Sequence, residues 1–170
     1  MRRLLLAAAL TFVAATSATA QTVILVRHAE KADQSADPIL SAAGGDRAGV
    51  LAGVLANAGV DFIYATPLQR TQLTAGPAGA AAGVAVTPIA LGGGTAGHVA
   101  AVAERVRAAP ADSTVLVVGH SNTIPLIVRA LGGQSADMAD CEYDRLTTVV
   151  LTGDAPVTVT SRYGAPSTCD

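Results

Sequence analysis

Charge is scarce in this chain. Only 14% of its 170 residues are Asp, Glu, Lys or Arg, and it holds three histidines and two cysteines. Its basic residues are too few to track a phosphodiester backbone, so nucleic acid is not an expected partner. The histidines, His28, His98 and His120, do not fall into a compact zinc motif such as H-x-x-x-H, and neighbouring arginines would repel a cation. A His-ligated metal hydrolase is therefore a minor alternative, and no metal site is expected. No long Pro/Ser-rich stretch, single-sign charge run or internal repeat divides the chain, and its length is enough for one core-forming domain. After residue 20 no apolar run is long enough to span a bilayer.

The first twenty residues, MRRLLLAAALTFVAATSATA, are different. Arg2 and Arg3 precede an apolar stretch from Leu4 to Val13, and Ala18-Thr19-Ala20 forms an A-x-A cleavage site, the layout of a secretory signal peptide. An uncleaved anchor is the alternative. The expectation is a leader at 1–20, a domain at 21–170, and a periplasmic or secreted product with no stable membrane span. Without Arg2 and Arg3, nine basic residues face thirteen acidic ones, a net charge of about −4. In an oxidising compartment Cys141 and Cys169 can pair. Strand-like runs at 146–152 and 156–163, folded about residue 155, place the two cysteines at equal distance from the turn and predict a disulfide across the open end.

Between these ends, short β-rich runs alternate with longer helical ones. Strands are expected at 22–26, 61–65, 84–88 and 114–118, before the final hairpin; helices are expected at 41–57, 68–82, 95–109 and 123–131. Val50, Leu51, Val54 and Leu55 share one face of the first helix, with Ser41 as its cap and Gly59 as its stop. Continuous apolar strands alternating with helices indicate an α/β sandwich with a mostly parallel sheet, to which the C-terminal hairpin adds antiparallel strands.

In such sheets ligands bind beyond the carboxyl ends of the strands. The first strand is followed by Arg27-His28-Ala29-Glu30-Lys31, the second by Thr66-Pro67-Leu68-Gln69-Arg70-Thr71, and the fourth by Gly119-His120-Ser121-Asn122-Thr123. Two arginines and two histidines at three strand ends suit a phosphoryl group, because guanidinium offers paired donors to phosphate oxygens at any relevant pH. The helix start after His120 adds backbone N–H groups. A neutral imidazole in such a pocket attacks phosphorus, which predicts covalent catalysis through a phosphohistidine without metal.

LVRHAE (25–30), LSAAGGDRAGVLAGVL (40–55), IYATPLQRTQLTA (63–75) and VLVVGHSNTIP (115–125) resemble the histidine phosphatase superfamily, with its phosphoglycerate-mutase-like fold. The resemblance implies a three-layer αβα sandwich, His28 as the phosphorylated nucleophile, and Arg27, Arg70 and His120 gripping the phosphate, with Ser121 and Asn122 as further substrate-binding residues. It implies no cofactor. Many members have RHG where this chain has Arg27-His28-Ala29, and Ser121 stands where the acid phosphatase branch carries a proton-donating aspartate. That places the chain in the branch without the His-Asp motif.

In that branch the donor is often a glutamate between the second and third motifs. Here the interval 76–113 offers only Glu104, expected on a solvated helix face, and Asp112, expected in a turn. Glu30 is the first candidate donor, or else an orienting partner of Arg27 or Lys31; the acidic run 137–144 is a second source of a carboxyl at the rim. His98 is expected to be exposed or at a helix start. The function expected is an exported phosphatase acting on a small phosphomonoester or phosphoramidate, such as a sugar or envelope phosphate. A catalytically weak phosphate-binding module and a mutase are the alternatives within the fold. Specificity is expected from a rim made by 31–40, 92–97 and 137–144. Oligomeric state has no signature in the sequence.

Overall fold

The computed structural model of the protein describes residues 19–153 and 155–169, so nearly all of the expected leader at 1–20 lies outside the described residues. Six strands form one sheet: β1 (Gln21–Arg27), β2 (Val60–Ala65), β3 (Val86–Pro88), β4 (Thr114–Gly119), β5 (Arg145–Leu151) and β6 (Val157–Arg162). Their order is β3-β2-β4-β1-β5-β6. The first four of these positions are parallel, while β5 runs antiparallel to β1 and β6 antiparallel to β5. Among the described residues four helices, α1 (Ala42–Leu55), α2 (Gln69–Ala82), α3 (Gly94–Ala108) and α4 (Ile124–Ala130), cover its faces.

The layers follow from the two-residue period of a strand. In β1, Val23 and Leu25 join a core with Val99, Val102 and Val106 of α3 and Ile124, Ile127 and Val128 of α4. Ile24 and Val26 point the other way, into a core with Leu51 and Leu55 of α1 and Ala75 and Ala78 of α2. Both faces of the central strands are thus buried, which is why their sequences are apolar without alternation. This is the three-layer αβα sandwich.

Helix α1 starts as expected: the Ser41 hydroxyl accepts the Gly44 N–H at 3.1 Å. Its buried face differs from the expected one. Leu51 and Leu55 are buried, but Val50 and Val54 are 42% and 53% exposed. The helix is turned by its first half. Gly44 lies so close to the loop after β1 that a Cβ there would run into the carbonyl oxygen of Glu30. Arg47, buried on the same side, sets the phase, and Leu51 and Leu55 follow it at intervals of four. The helix ends at Leu55, before Gly59.

Two other boundaries shift for local reasons. Strand β3 begins at Val86, not 84, because the Val84 N–H is taken by Gly79 O in the closing turn of α2. The hairpin register pairs Arg145 with Arg162 and Val150 with Val157, so its centre lies between 153 and 154. On that register position 141 would oppose 166. The disulfide nevertheless forms, with Cα atoms of Cys141 and Cys169 at 5.2 Å, because both residues lie beyond the ladder where the chain is free of its register.

Candidate active site

The strand order explains the site. Placing β4 between β1 and β2 sets Arg27 beside Gly119 and Ala65 beside Val118, so the segments following three strands leave the sheet together. They open into a cavity of about 700 Å³ whose walls include Arg27, His28, Arg70, His120, Ser121 and Asn122. Six of the seven expected site residues meet here; Glu30 does not.

His28 lies at the floor, 3% exposed. Its backbone N–H donates to Gly119 O at 2.8 Å, and the next N–H, of Ala29, donates to Thr74 Oγ1 at 2.9 Å. These bonds fasten the loop to β4 and α2. The His28 ring contacts Ala29 O through Nδ1 at 2.8 Å, and since a carbonyl only accepts, Nδ1 carries the proton and Nε2 keeps its lone pair. Burial first, then the charges of Arg27 and Arg70, lower its pKa to about 4, against the opposing Ala29 hydrogen bond. The His120 ring stands 5.3 Å from that of His28, edge-on, with Nε2 at 3.2 Å from Thr66 Oγ1. Its pKa falls to about 3, through burial and then through His28 and Arg70. Both imidazoles are neutral near pH 7.

Each arginine is positioned by a loop far away in sequence. Arg27, 4% exposed, donates through Nη1 to the backbone oxygens of Ala139, Asp140 and Glu142, and its guanidinium stacks 4.1 Å above the Tyr143 ring. Arg70 is the second residue of α2, a helix whose Leu68 cap offers no side-chain oxygen. Asp37 takes that role: its Oδ1 accepts the Gln69 N–H at 2.9 Å and lies 3.7 Å from Arg70 Nη1. The Nε atoms of both arginines are buried with no acceptor among the described residues.

Glu30 points elsewhere. Its carboxylate is held by Arg47, with Nε at 3.0 Å from both oxygens and Nη2 at 2.7 Å from Oε1. Burial, the largest single influence, works against its charge, but the Arg47 hydrogen bonds, a backbone hydrogen bond and the charges of Arg47 and Arg27 together outweigh it and keep the group below the ordinary carboxylate range. It orients neither Arg27 nor Lys31; it anchors α1 to the loop carrying His28. The pairing escapes sequence inspection because it depends on the rotation of α1. Glu104 and Asp112 are exposed, as expected. His98 does sit at a helix start, but it is 2% exposed, not open to solvent, with Nδ1 at 3.1 Å from Ala90 O. The N–H groups of Thr123 and Ile124 are spent on His120 O, so the helix start gives less to the cavity than expected.

The three expected rim stretches all reach the cavity, through Lys31 and Gln34, Gly94 and Thr95, and Asp140 and Tyr143. Asp140 accepts the Ser121 hydroxyl at 2.6 Å and stands 3.8 Å from Arg27 Nη2. Asp140 and Tyr143 are the members of the 137–144 stretch that reach the cavity, and the sequence does not single them out. The signal available was their position beside Cys141, whose bond to Cys169 fixes that stretch. Among the described residues no three His, Cys, Asp or Glu side chains gather as metal ligands, and no helix is long and apolar enough to cross a membrane.

Comparison with known proteins agrees with this geometry. Residues 23–90 match the family model of the histidine phosphatase superfamily (branch 1). No curated protein matches the chain. Among solved structures, the candidate phosphohistidine phosphatase SixA of Nakamurella multipartitia is similar at 27% identity, over 86% of this chain and 96% of that one, with a TM-score of 0.60. A mycobacterial glucosyl-3-phosphoglycerate phosphatase bound to inorganic phosphate shares the fold at 18% identity, over 85% and 97%, with a TM-score of 0.62. So does the phosphoserine phosphatase of Entamoeba histolytica in complex with 3-phosphoglyceric acid, at 17% identity, over 85% and 98%, with a TM-score of 0.60. With the motif residues assembled at three adjacent strand ends, the chain is similar to the histidine phosphatase superfamily over residues 23–90 and shares its fold with these phosphatases.

Proposed function

We propose that this phosphoric monoester hydrolase is exported and cleaves a small phosphomonoester or phosphoramidate through a phosphohistidine on His28, with no metal or organic cofactor. The observation that carries this reading is the convergence of two arginines and two neutral imidazoles on one cavity. Arg27 and Arg70 supply charge-assisted donors to the phosphoryl oxygens, and their acceptor-free Nε–H groups suit the same ligand. His28 Nε2 attacks phosphorus, the P–N bond forms as the bond to the leaving group breaks, and water then releases orthophosphate and restores the imidazole. His120 and the arginines stabilise the charge spread over the transferring group.

The cavity is larger than orthophosphate, and its walls mix polar side chains (Lys31, Gln34, Asn122) with Leu91 and Tyr143. That lining suits a polar organic phosphate such as a sugar or envelope phosphate. The leader-like 1–20 segment and the Cys141–Cys169 bond support an oxidising address, periplasmic or secreted.

Incubation with para-nitrophenyl phosphate, with and without chelator, tests the chemistry. Chelator-resistant turnover that disappears in His28→Ala, with an acid-labile phosphoryl adduct mapping to His28, is the expected result. Turnover abolished by chelator would replace it with a metal mechanism. Phosphate binding without any turnover would make the chain a binding module.

A further inference from the structure

The phosphorylation step needs a proton for its leaving group, and the nucleophile's position says where that proton must be delivered. His28 is buried at the floor of the cavity. In an in-line displacement the leaving oxygen departs on the side opposite the attacking nitrogen, toward the mouth. Among the described residues the cavity wall holds one carboxylate, Asp140. Its side chain is 92% exposed at the mouth, and Ser121, next to His120, holds it through the 2.6 Å hydrogen bond. Of the other nearby acids, Glu30 is locked onto Arg47, and Asp37, which is not part of the cavity wall, accepts the Gln69 N–H behind Arg70.

We infer that Asp140 is the proton-transfer residue of this enzyme, giving a proton to the leaving oxygen and then taking one from the hydrolytic water. The inference rests on the phosphatase reading above. In the first step His28 Nε2 bonds to phosphorus, the P–O bond to the leaving group breaks, and that oxygen takes the Asp140 proton, yielding an alcohol and phospho-His28. In the second, water attacks phosphorus and gives its proton to the Asp140 carboxylate as the P–N bond breaks. Asp140 ends as it began. In the free site the Ser121 hydrogen bond, and then Arg27, keep this carboxyl below the usual range. A phosphoryl group has a second pKa of about 6, so a substrate arriving as the monoanion brings the proton, and by engaging Arg27 it offsets the second of the two influences that hold Asp140 ionised.

The test is the dependence on leaving group. Para-nitrophenolate leaves without a proton, whereas the alkoxide of glycerol phosphate does not, and kcat/KM reports steps only through phosphoryl transfer to His28. Asp140→Asn is expected to lower kcat/KM for glycerol phosphate by roughly 10²–10³-fold. For para-nitrophenyl phosphate the loss should stay below about tenfold, with phospho-His28 accumulating because the water has lost its base. Ser121→Ala, which frees Asp140 from its tether, should produce a smaller loss of the same selectivity. Equal losses on the two substrates, or none, would overturn the role of Asp140 while leaving the phosphatase reading intact. A wild-type protein that hydrolyses neither compound would overturn both.

Discussion

The floor and the rim of the cavity are built by different means. Arg27, His28 and His120 stand at or just beyond strands whose ends are joined by the ladder of the sheet, and they are held by main-chain bonds such as His28 N–H to Gly119 O at 2.8 Å. The rim comes from three loops, each tied down by side chains or by a covalent bond: Asp37 at the start of α2, Ser121 on Asp140, and the disulfide behind Asp140 and Tyr143. The chemistry is therefore fixed by the most rigid part of the fold, while the surroundings of the leaving group depend on contacts that single substitutions can remove.

Removing the disulfide by Cys141→Ser with Cys169→Ser tests this contrast most severely. The bond spans 28 residues of sequence, and losing it should cost about 3 kcal/mol of stability, measured by denaturant unfolding. The folded variant should still label at His28 with para-nitrophenyl phosphate, at a raised KM, because Arg27 leans on the backbone of the released segment. Loss of labelling in a folded variant would show that floor and rim are not separable. Next in size, Arg70→Ala removes a floor donor. It should weaken orthophosphate binding by roughly 10- to 100-fold, corresponding to about 1.5–3 kcal/mol for a hydrogen bond to a charged group. Unchanged binding by calorimetry would remove Arg70 from the pocket.

The smallest expected effect is in pH. His28 and His120 have folded pKa values of about 4 and about 3, against an ordinary value of 6.5. Between those limits the unfolded chain binds more protons than the folded one, so their contribution to stability is fully present above about pH 6.5 and is lost as pH falls toward 4 and then 3. The kcat/KM profile should bend downward near pH 4 as His28 gains its proton. An acid limb near 6.5 would mean that His28 is not buried as described. His28→Ala should flatten the stability slope over the same interval, as followed by thermal unfolding.

The floor was legible in the sequence because strand ends are marked twice, by the apolar run that stops and by the ionisable residues that follow. Arg27, His28, Arg70 and His120 needed no knowledge of strand order, since any parallel arrangement sends them to the same edge of the sheet. What depended on rotation or on distant pairing was hidden. The phase of α1 is not legible in its sequence because Val50 and Val54 are as apolar as Leu51 and Leu55; only the contacts of Gly44 and Arg47 with the Glu30 loop select between them. Glu30 itself looked like a catalytic acid because its partner is 17 residues away on a helix face. His98, expected at the surface or a helix start, lies on the buried face of α3 with its Nδ1 beside the Ala90 carbonyl, a contact with the preceding loop that its own position does not announce. For Asp140, the acidic stretch was visible, but which of its carboxylates turns to the cavity was not: Glu142 and Asp144 instead pair with Arg162, and Glu142 also with Arg145.

The Cys141–Cys169 bond also makes the C-terminal hairpin a closed ring. A protease that nicks the turn between β5 and β6 would leave two pieces still covalently joined, with β6 kept at high local concentration beside its partner strand. Such a nicked protein would run as a single band until it is reduced. Preparations judged intact on a non-reducing gel can therefore hold cut molecules, and the cut becomes visible only when the bond behind Asp140 is opened.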